Sequence, residues 1–162
     1  MTTIVISHRY VDAMLVTNHV LSGAVIGARS RGPAQAFALG VASHFVLDAI
    51  PHWGDWRDQQ DFLQIAKRDG IAGLAVMGTL TALAPPDRRL AVLAGMVGAT
   101  FPDLDKPFKL VTGRRLFPRA VNWFHGAIQR ESRDRFVVEI AAGSVLSGAA
   151  IAVVLLARRP QR

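Results

Sequence analysis

The sequence predicts an all-α fold, a membrane-embedded bundle of about five helices with one long basic loop over 103–135. Five runs contain no Asp, Glu, Lys or Arg, which is typical of helices with little contact with water. Proline, glycine and charged residues separate these runs, and the alternation typical of strands is weak. The length of 162 residues favours a single domain, 1–162. The runs are 13–28, 34–47, 71–84, 90–101 and 140–157.

The breaks between the runs define the helices in order. The stretch 29–33 ends the first run, and Pro33 suits the first turn of the second helix. Pro51 ends the second helix, 85–87 separates the third from the fourth, and Pro102 ends the fourth. The last run, 140–157, is the strongest membrane signal, and Arg158 and Arg159 follow it as an interfacial stop.

Small residues favour a membrane over a soluble bundle. The runs are rich in Gly, Ala, Ser and Thr, which let helices approach closely in lipid but bury little apolar area in a soluble core. They also lack the polar stripe of a surface helix. We expect a multi-pass protein of the bacterial inner-membrane type, with no evident secretory signal peptide. A soluble helical domain is the alternative.

Composition restricts the chemistry. The sequence has no cysteine, which excludes disulfides, thiolate metal sites and thiol nucleophiles. The formal net charge is +7 and the pI is about 11.2. Such a charge suits anionic lipid, a phosphorylated substrate or nucleic acid. Nucleic acid is disfavoured because the basic residues cluster in one loop and the apolar helices would be left exposed without lipid.

Histidine and aspartate occur where an apolar helix would not need them. His44 and Asp48 are four residues apart, so they share one face of a helix. Two carboxylates, Asp103 and Asp105, lie in a turn between prolines, a common way to present oxygen ligands to a divalent metal. The candidate site residues are His19, His44, Asp48, His52, Asp103, Asp105 and His125, with Asp55, Asp69 and Glu131 as weaker candidates.

Topology predicts that these residues meet. If each run crosses the bundle once, successive helices are antiparallel and alternate junctions share an end. The candidates then all fall toward one end, whereas the opposite junctions contain no histidine and only one acid, Asp87. Ionisable residues grouped in a membrane bundle are candidates for function.

Each candidate also has a structural interpretation. His19 would be a hydrogen-bonded packing residue, and His44 with Asp48 an interhelical pair. His52 would cap a helix end, Asp103 and Asp105 would form a turn, and His125 would be a loop histidine. Asp69 would be a helix N-cap.

The chain resembles the YdjM-like family of membrane-bound metal-dependent hydrolases. The resemblance spans about residues 17–131 and depends on His19 before Gly23, the S-H-x3-D-x2-P-H segment 43–52, the P-D-x-D-x-P turn 102–107 and the later His125. The chain has Lys106 where the family often has a histidine, and 125–129 reads H-G-A-I-Q where the family often has H-R-x2-T-H-S. The H-x3-D helix alone is also similar to one in zinc-dependent phospholipase C enzymes.

The expected activity is metal-dependent hydrolysis of a phosphoester, of which a membrane lipid is the natural example. We expect one or two divalent ions, zinc first and manganese or iron as alternatives, held by His19, His44, Asp48, Asp103 and Asp105. The metal would activate a water, and His52 or His125 would transfer the proton. The basic loop would attract the phosphate or serve as a positive-inside signal. The alternative is a non-catalytic membrane binding or regulatory protein with a structural metal site.

Overall fold

The computed structural model describes residues 14–54 and 59–157. Over these residues the chain is almost entirely helical, with seven α-helices, two short 3-10 turns and two strands of two residues. The helices are α1 (Val16–Arg29), α2 (Pro33–Ala49), α3 (Gln59–Leu83), α4 (Arg89–Thr100), α5 (Asp105–Thr112), α6 (Arg119–Ile128) and α7 (Phe136–Leu156). The strands are β1 (His52–Trp53) and β2 (Glu131–Ser132), and the 3-10 turns are Phe101–Leu104 and Arg133–Arg135.

The predicted helical class is confirmed, and the described part of each apolar run falls, to within two residues at its ends, inside α1, α2, α3, α4 or α7. The prediction of one long loop over 103–135 is wrong, because α5 and α6 form there. Both helices are short and amphipathic, with 8 and 10 residues, so neither contains a charge-free run as long as the five described above. Gly113, at φ 69°, ends α5 in the left-handed conformation that favours glycine, and Pro118 precedes the first turn of α6. Asp55 and the predicted stop at Arg158 and Arg159 lie outside the described residues.

Helix α4 packs between α1 and α2 at backbone contact distance. A Cβ added to Gly23 of α1 or to Gly40 of α2 would overlap the carbonyl oxygen of Gly95 in α4. One turn along, a Cβ on Gly98 would overlap the carbonyl of Phe37. Such contacts need glycine, because any side chain would push the helices apart. They bring the carboxyl ends of α2 and α4 beside the amino end of α1.

Helix α3 fixes the beginning of α1. The Asp69 carboxylate accepts hydrogen bonds from the amides of Val16 (2.5 Å) and Thr17 (3.3 Å), and from the Thr17 hydroxyl. Asp69 therefore caps the beginning of α1. The interpretation of Asp69 as the N-cap of its own helix is wrong, because α3 begins at Gln59 and Asp69 lies within it. The apolar core lies further along α1, where Val20, Val92 and Val154 are completely buried.

Helix α7 has its apolar surface exposed. Among residues 14–54 and 59–157, it is the one helix long and apolar enough to cross a membrane, with 21 residues and a mean hydropathy of 2.0. Only 17% of its most apolar window is buried against the rest of the chain, whereas the core helix of a soluble protein is mostly buried. Its Glu139 is buried and accepts hydrogen bonds from the Leu15 amide (3.1 Å) and the Asn18 side chain (2.7 Å). The beginning of α7 is therefore attached to the beginning of α1.

Strands β1 and β2 pair in parallel and join the segment after α2 to the segment after α6. His52 lies opposite Glu131, and the His52 amide donates to the Arg130 carbonyl at 3.1 Å. This pairing holds the end of α6 close to the end of α2.

Candidate metal centre

Five candidate ligands from four elements converge at one pole of the helix bundle. His19 lies in the first turn of α1, and His44 and Asp48 lie one turn apart in α2. Asp103 lies in the 3-10 turn after α4, and His125 lies in α6. All five side chains are buried. The structure therefore brings together residues that span most of the described chain.

Asp48 is the centre of this cluster. Its Oδ1 lies 3.2 Å from His19 Nε2, and its Oδ2 lies 3.2 Å from His44 Nε2 and 2.7 Å from His125 Nε2. One carboxylate thus faces the same nitrogen of three imidazoles. Gln129 also reaches it, and donates from Nε2 to Oδ2 at 3.3 Å.

The tautomer of His44 is set by the backbone. Its Nδ1 lies 2.7 Å from the carbonyl oxygen of Ala99, to which it can only donate. In the neutral ring, Nε2 then carries a lone pair directed into the cluster. Metal-binding histidines commonly hold the second ring nitrogen in this way, through a backbone carbonyl. The Nε2 atoms of His44 and His125 are 3.0 Å apart.

His19 is completely buried, and among the described residues its Nε2 faces only the Asp48 carboxylate, at 3.2 Å. Its ring is stacked on that of His44, with centroids 4.1 Å apart. Neither ring nitrogen of His19, nor Oδ1 of Asp48, has a hydrogen-bond partner of acceptable geometry among the described residues. An unsatisfied buried polar group costs about 1–3 kcal/mol. A cation bound between these atoms would remove that cost.

Asp103 forms the outer side of the cluster. Its Oδ1 lies 4.0 Å from His44 Nε2 and 3.8 Å from His125 Nε2, and accepts a hydrogen bond from Lys106 Nζ at 2.7 Å. Burial by itself would raise the pKa of Asp103, but the nearby charges of Lys106 and His44 outweigh it and hold the pKa below its usual value. Asp103 is therefore an ionised ligand candidate.

The distances fit a single metal ion. The candidate ligand atoms form two overlapping groups, each within 4.8 Å: His19, His44 and Asp103, and His44, Asp48 and His125. Zinc bonds of about 2.0–2.1 Å place neighbouring tetrahedral ligands about 3.3 Å apart. The separations from Asp48 to His19 and His44 (3.2 Å each) and from His44 to His125 (3.0 Å) are close to this value, whereas Asp48 and His125 are nearer at 2.7 Å and Asp103 is farther at 3.8–4.0 Å. Imidazole nitrogen with carboxylate oxygen suits zinc, manganese or iron.

Asp105 lies outside the cluster. The turn that carries it is helical, and residues two apart on a helix do not face each other. Asp103 therefore faces the histidines, whereas Asp105 accepts hydrogen bonds from the amides of Leu116 (2.5 Å) and Phe117 (3.1 Å). In the structure its carboxylate orders the segment between α5 and α6.

His52 also lies apart from the metal groups. Its Nδ1 donates to the Ile50 carbonyl at 2.8 Å, and its Nε2 lies 3.4 Å from Glu131 Oε1. Burial by itself would lower the pKa of His52, but the Glu131 carboxylate and the Ile50 carbonyl outweigh it and raise the pKa above its usual value. His52 and Glu131 thus form a buried pair at the β1–β2 junction.

Sequence reasoning missed three of these contributions. Gln129 contacts Asp48, and no spacing rule connects these two residues. Lys106 is three residues after Asp103, a spacing that makes neighbours on a helical turn, so this ion pair had a visible signal. Glu139 had a visible signal, since it is the one acid that interrupts the apolar stretch 136–157. Its partners on α1 became evident only from the packing of α7.

Comparisons of the chain with protein families, curated proteins and solved structures found no match. The chemistry of the site is therefore judged from its own residues.

Proposed function

We propose that this protein is a membrane metal-dependent hydrolase that cleaves a phosphoester. The observation that supports the proposal is the convergence of three imidazoles and two carboxylates in two overlapping buried groups, with neither nitrogen of His19 in a hydrogen bond of acceptable geometry among the described residues. A purely structural cluster of hydrogen bonds would leave fewer buried polar atoms unsatisfied.

The ion would be held by His19, His44, Asp48, Asp103 and His125, with zinc as the first choice. A divalent ion in such a site supplies Lewis acidity toward a phosphate oxygen and lowers the pKa of water. The two candidate ligand groups share His44, which favours one ion over two. In this proposal His125 is a ligand, and His52, supported by Glu131, is the candidate for proton transfer.

Access to the site favours an anionic substrate. The Asp103 and His125 side chains are the least buried of the five, at 9% and 8% exposed, so the cluster comes nearest to solvent on their side. Lys106 stands next to Asp103 and is 31% exposed. Its ammonium group is placed to bind an oxygen of a phosphate group that enters from solvent.

The membrane assignment depends on α7. Its exposed apolar surface would be covered by lipid, which makes a lipid phosphoester an accessible substrate. Helices α1 and α4 have 14 and 12 residues, which is about 18–21 Å of helix and short of a hydrocarbon core of about 30 Å. The proposal therefore assigns a crossing to α7 only, and a multi-pass arrangement stays a prediction, as does the YdjM-like resemblance.

The test is metal-dependent turnover by the full chain purified in detergent. We expect hydrolysis of members of a panel of phospholipids and pyrophosphate lipids, detected as a phosphomonoester from a diester or as free phosphate from a pyrophosphate, with loss of hydrolysis on treatment with a chelator and recovery with zinc. Asp103→Asn should lower the rate by at least about 100-fold, whereas Asp87→Asn, at the opposite pole, should not change it. Protein that binds zinc but hydrolyses no member of the panel would instead favour the non-catalytic alternative.

A further inference from the structure

The segment 104–124, which connects Asp103 to the helix that carries His125, presents large apolar side chains to solvent. Val111 is 84% exposed and Trp123 is 74% exposed. We call this region the α5–α6 surface. Its main apolar members are Phe108, Leu110, Val111, Leu116, Trp123 and Phe124. A soluble protein rarely leaves such a concentration uncovered, so a partner is expected.

The charge of the α5–α6 surface identifies the chemistry of that partner. Every exposed charged side chain between residues 104 and 130 is basic, since the acid in this range, Asp105, is buried. Lys109, Arg114, Arg115 and Arg119 lie among the apolar residues. Basic and aromatic side chains interspersed in this way are typical of an element that lies in the interface of an anionic membrane.

The position of α7 supports the same partner. The ring of Phe136, its first residue, packs 5.4 Å from that of Trp53, and Glu139 in its first turn binds Leu15 and Asn18 beside His19. The site and the beginning of the candidate span are therefore at the same pole. Where α7 enters the hydrocarbon core, the metal site and the α5–α6 surface lie near the level of the lipid headgroups.

We propose that the α5–α6 surface docks onto an anionic lipid leaflet and turns the least buried side of the cluster, at Asp103 and His125, toward the headgroup phosphates. Trp123 and Val111 enter the boundary of the acyl chains, and the arginines bind lipid phosphates. The identification of a headgroup phosphate as the substrate rests on the proposed hydrolase function, but the docking itself requires neither metal nor turnover.

Trp123 provides the measurement. In a Trp53→Phe/Trp56→Phe background it is the one tryptophan left in the sequence. The full chain is placed in nanodiscs that contain phosphatidylglycerol, with and without bromine near the headgroup end of the acyl chains. We expect the brominated lipid to quench Trp123 fluorescence at least twofold and aqueous iodide to quench it weakly. Strong quenching by iodide with no effect of bromine would overturn the proposal.

A matched pair of variants tests the charge argument. Arg114→Gln/Arg119→Gln removes two exposed arginines from the α5–α6 surface, and Arg29→Gln/Arg31→Gln removes two from the opposite pole. The first pair should reduce quenching by brominated lipid at least twofold in anionic discs, and the second should leave it unchanged. Equal quenching in both pairs would reject anionic recognition by this surface.

The same samples separate this proposal from the hydrolase proposal. Trp123 quenched by lipid in a protein that binds zinc without turnover would leave docking intact and remove the hydrolase. Turnover with Trp123 exposed to iodide would remove docking alone.

Discussion

The replacement Asp48→Asn tests the metal centre most directly. The change preserves the shape of the side chain but removes the negative charge that faces His19, His44 and His125 at 2.7–3.2 Å. Loss of a group that only orients a ligand weakens metal binding about 10–100-fold. Asp48 is itself a ligand in our proposal, so we expect the dissociation constant for zinc to rise at least about 100-fold.

The effect on thermal stability follows from that ratio. Zinc at about 100 times its dissociation constant stabilises the wild type by about 2.7 kcal/mol, or about 5–11 °C for a chain of this length. At the same concentration, a variant that binds 100-fold more weakly gains about 0.4 kcal/mol, or about 1–2 °C. The assay is thermal unfolding with and without zinc, followed by tryptophan fluorescence, with affinity measured by chelator competition.

Two further variants complete this experiment. Asp87→Asn changes an acid that is 79% exposed at the opposite pole, and it should keep the full zinc-dependent shift. His19→Gln should lose the zinc-dependent shift in unfolding temperature, as Asp48→Asn does. It provides the test of the metal centre if Asp48→Asn does not fold. A full shift in folded Asp48→Asn or folded His19→Gln would refute the assignment of that residue as a ligand.

Three other predictions concern the structure around the site. Gly98→Ala should destabilise the fold by about 1–3 kcal/mol, because the added Cβ would overlap the Phe37 carbonyl. The control, Gly78→Ala, adds a Cβ that meets nothing within 4 Å and should be neutral or stabilising. Denaturant titration measures the free energy of unfolding of both variants. The raised pKa of His52 means that its pair with Glu131 stabilises fully below pH 6.5, the unfolded value, and loses this contribution as the pH rises through the folded-state pKa. Glu131→Gln should therefore lower the free energy of unfolding more at pH 6 than at pH 9, and an equal loss at both would contradict the pairing. Asp69→Ala removes the cap of α1 and should lower the free energy of unfolding by about 0.5–2 kcal/mol, measured by the same titration. An unchanged midpoint would contradict the capping role of Asp69.

The sequence by itself determined the helical class and much of the candidate site. Charge-free runs separated by prolines define helices through local backbone and solvation preferences, which need no knowledge of distant partners. The i, i+4 spacing of His44 and Asp48 likewise placed both on one face of α2. Antiparallel succession of the helices then brought His19, Asp103 and His125 toward the same pole.

Only the tertiary structure decided which side chains enter the centre. Asp103 and Asp105 look equivalent in sequence, but a helical turn directs them apart, one toward the histidines and the other toward the amides of Leu116 and Phe117. The lone pair of His44 is directed by the Ala99 carbonyl, which reaches it because Gly95 and Gly98 let α4 touch its neighbours. The direction of a side chain depends on contacts between residues far apart in the chain, and local spacing does not contain that information.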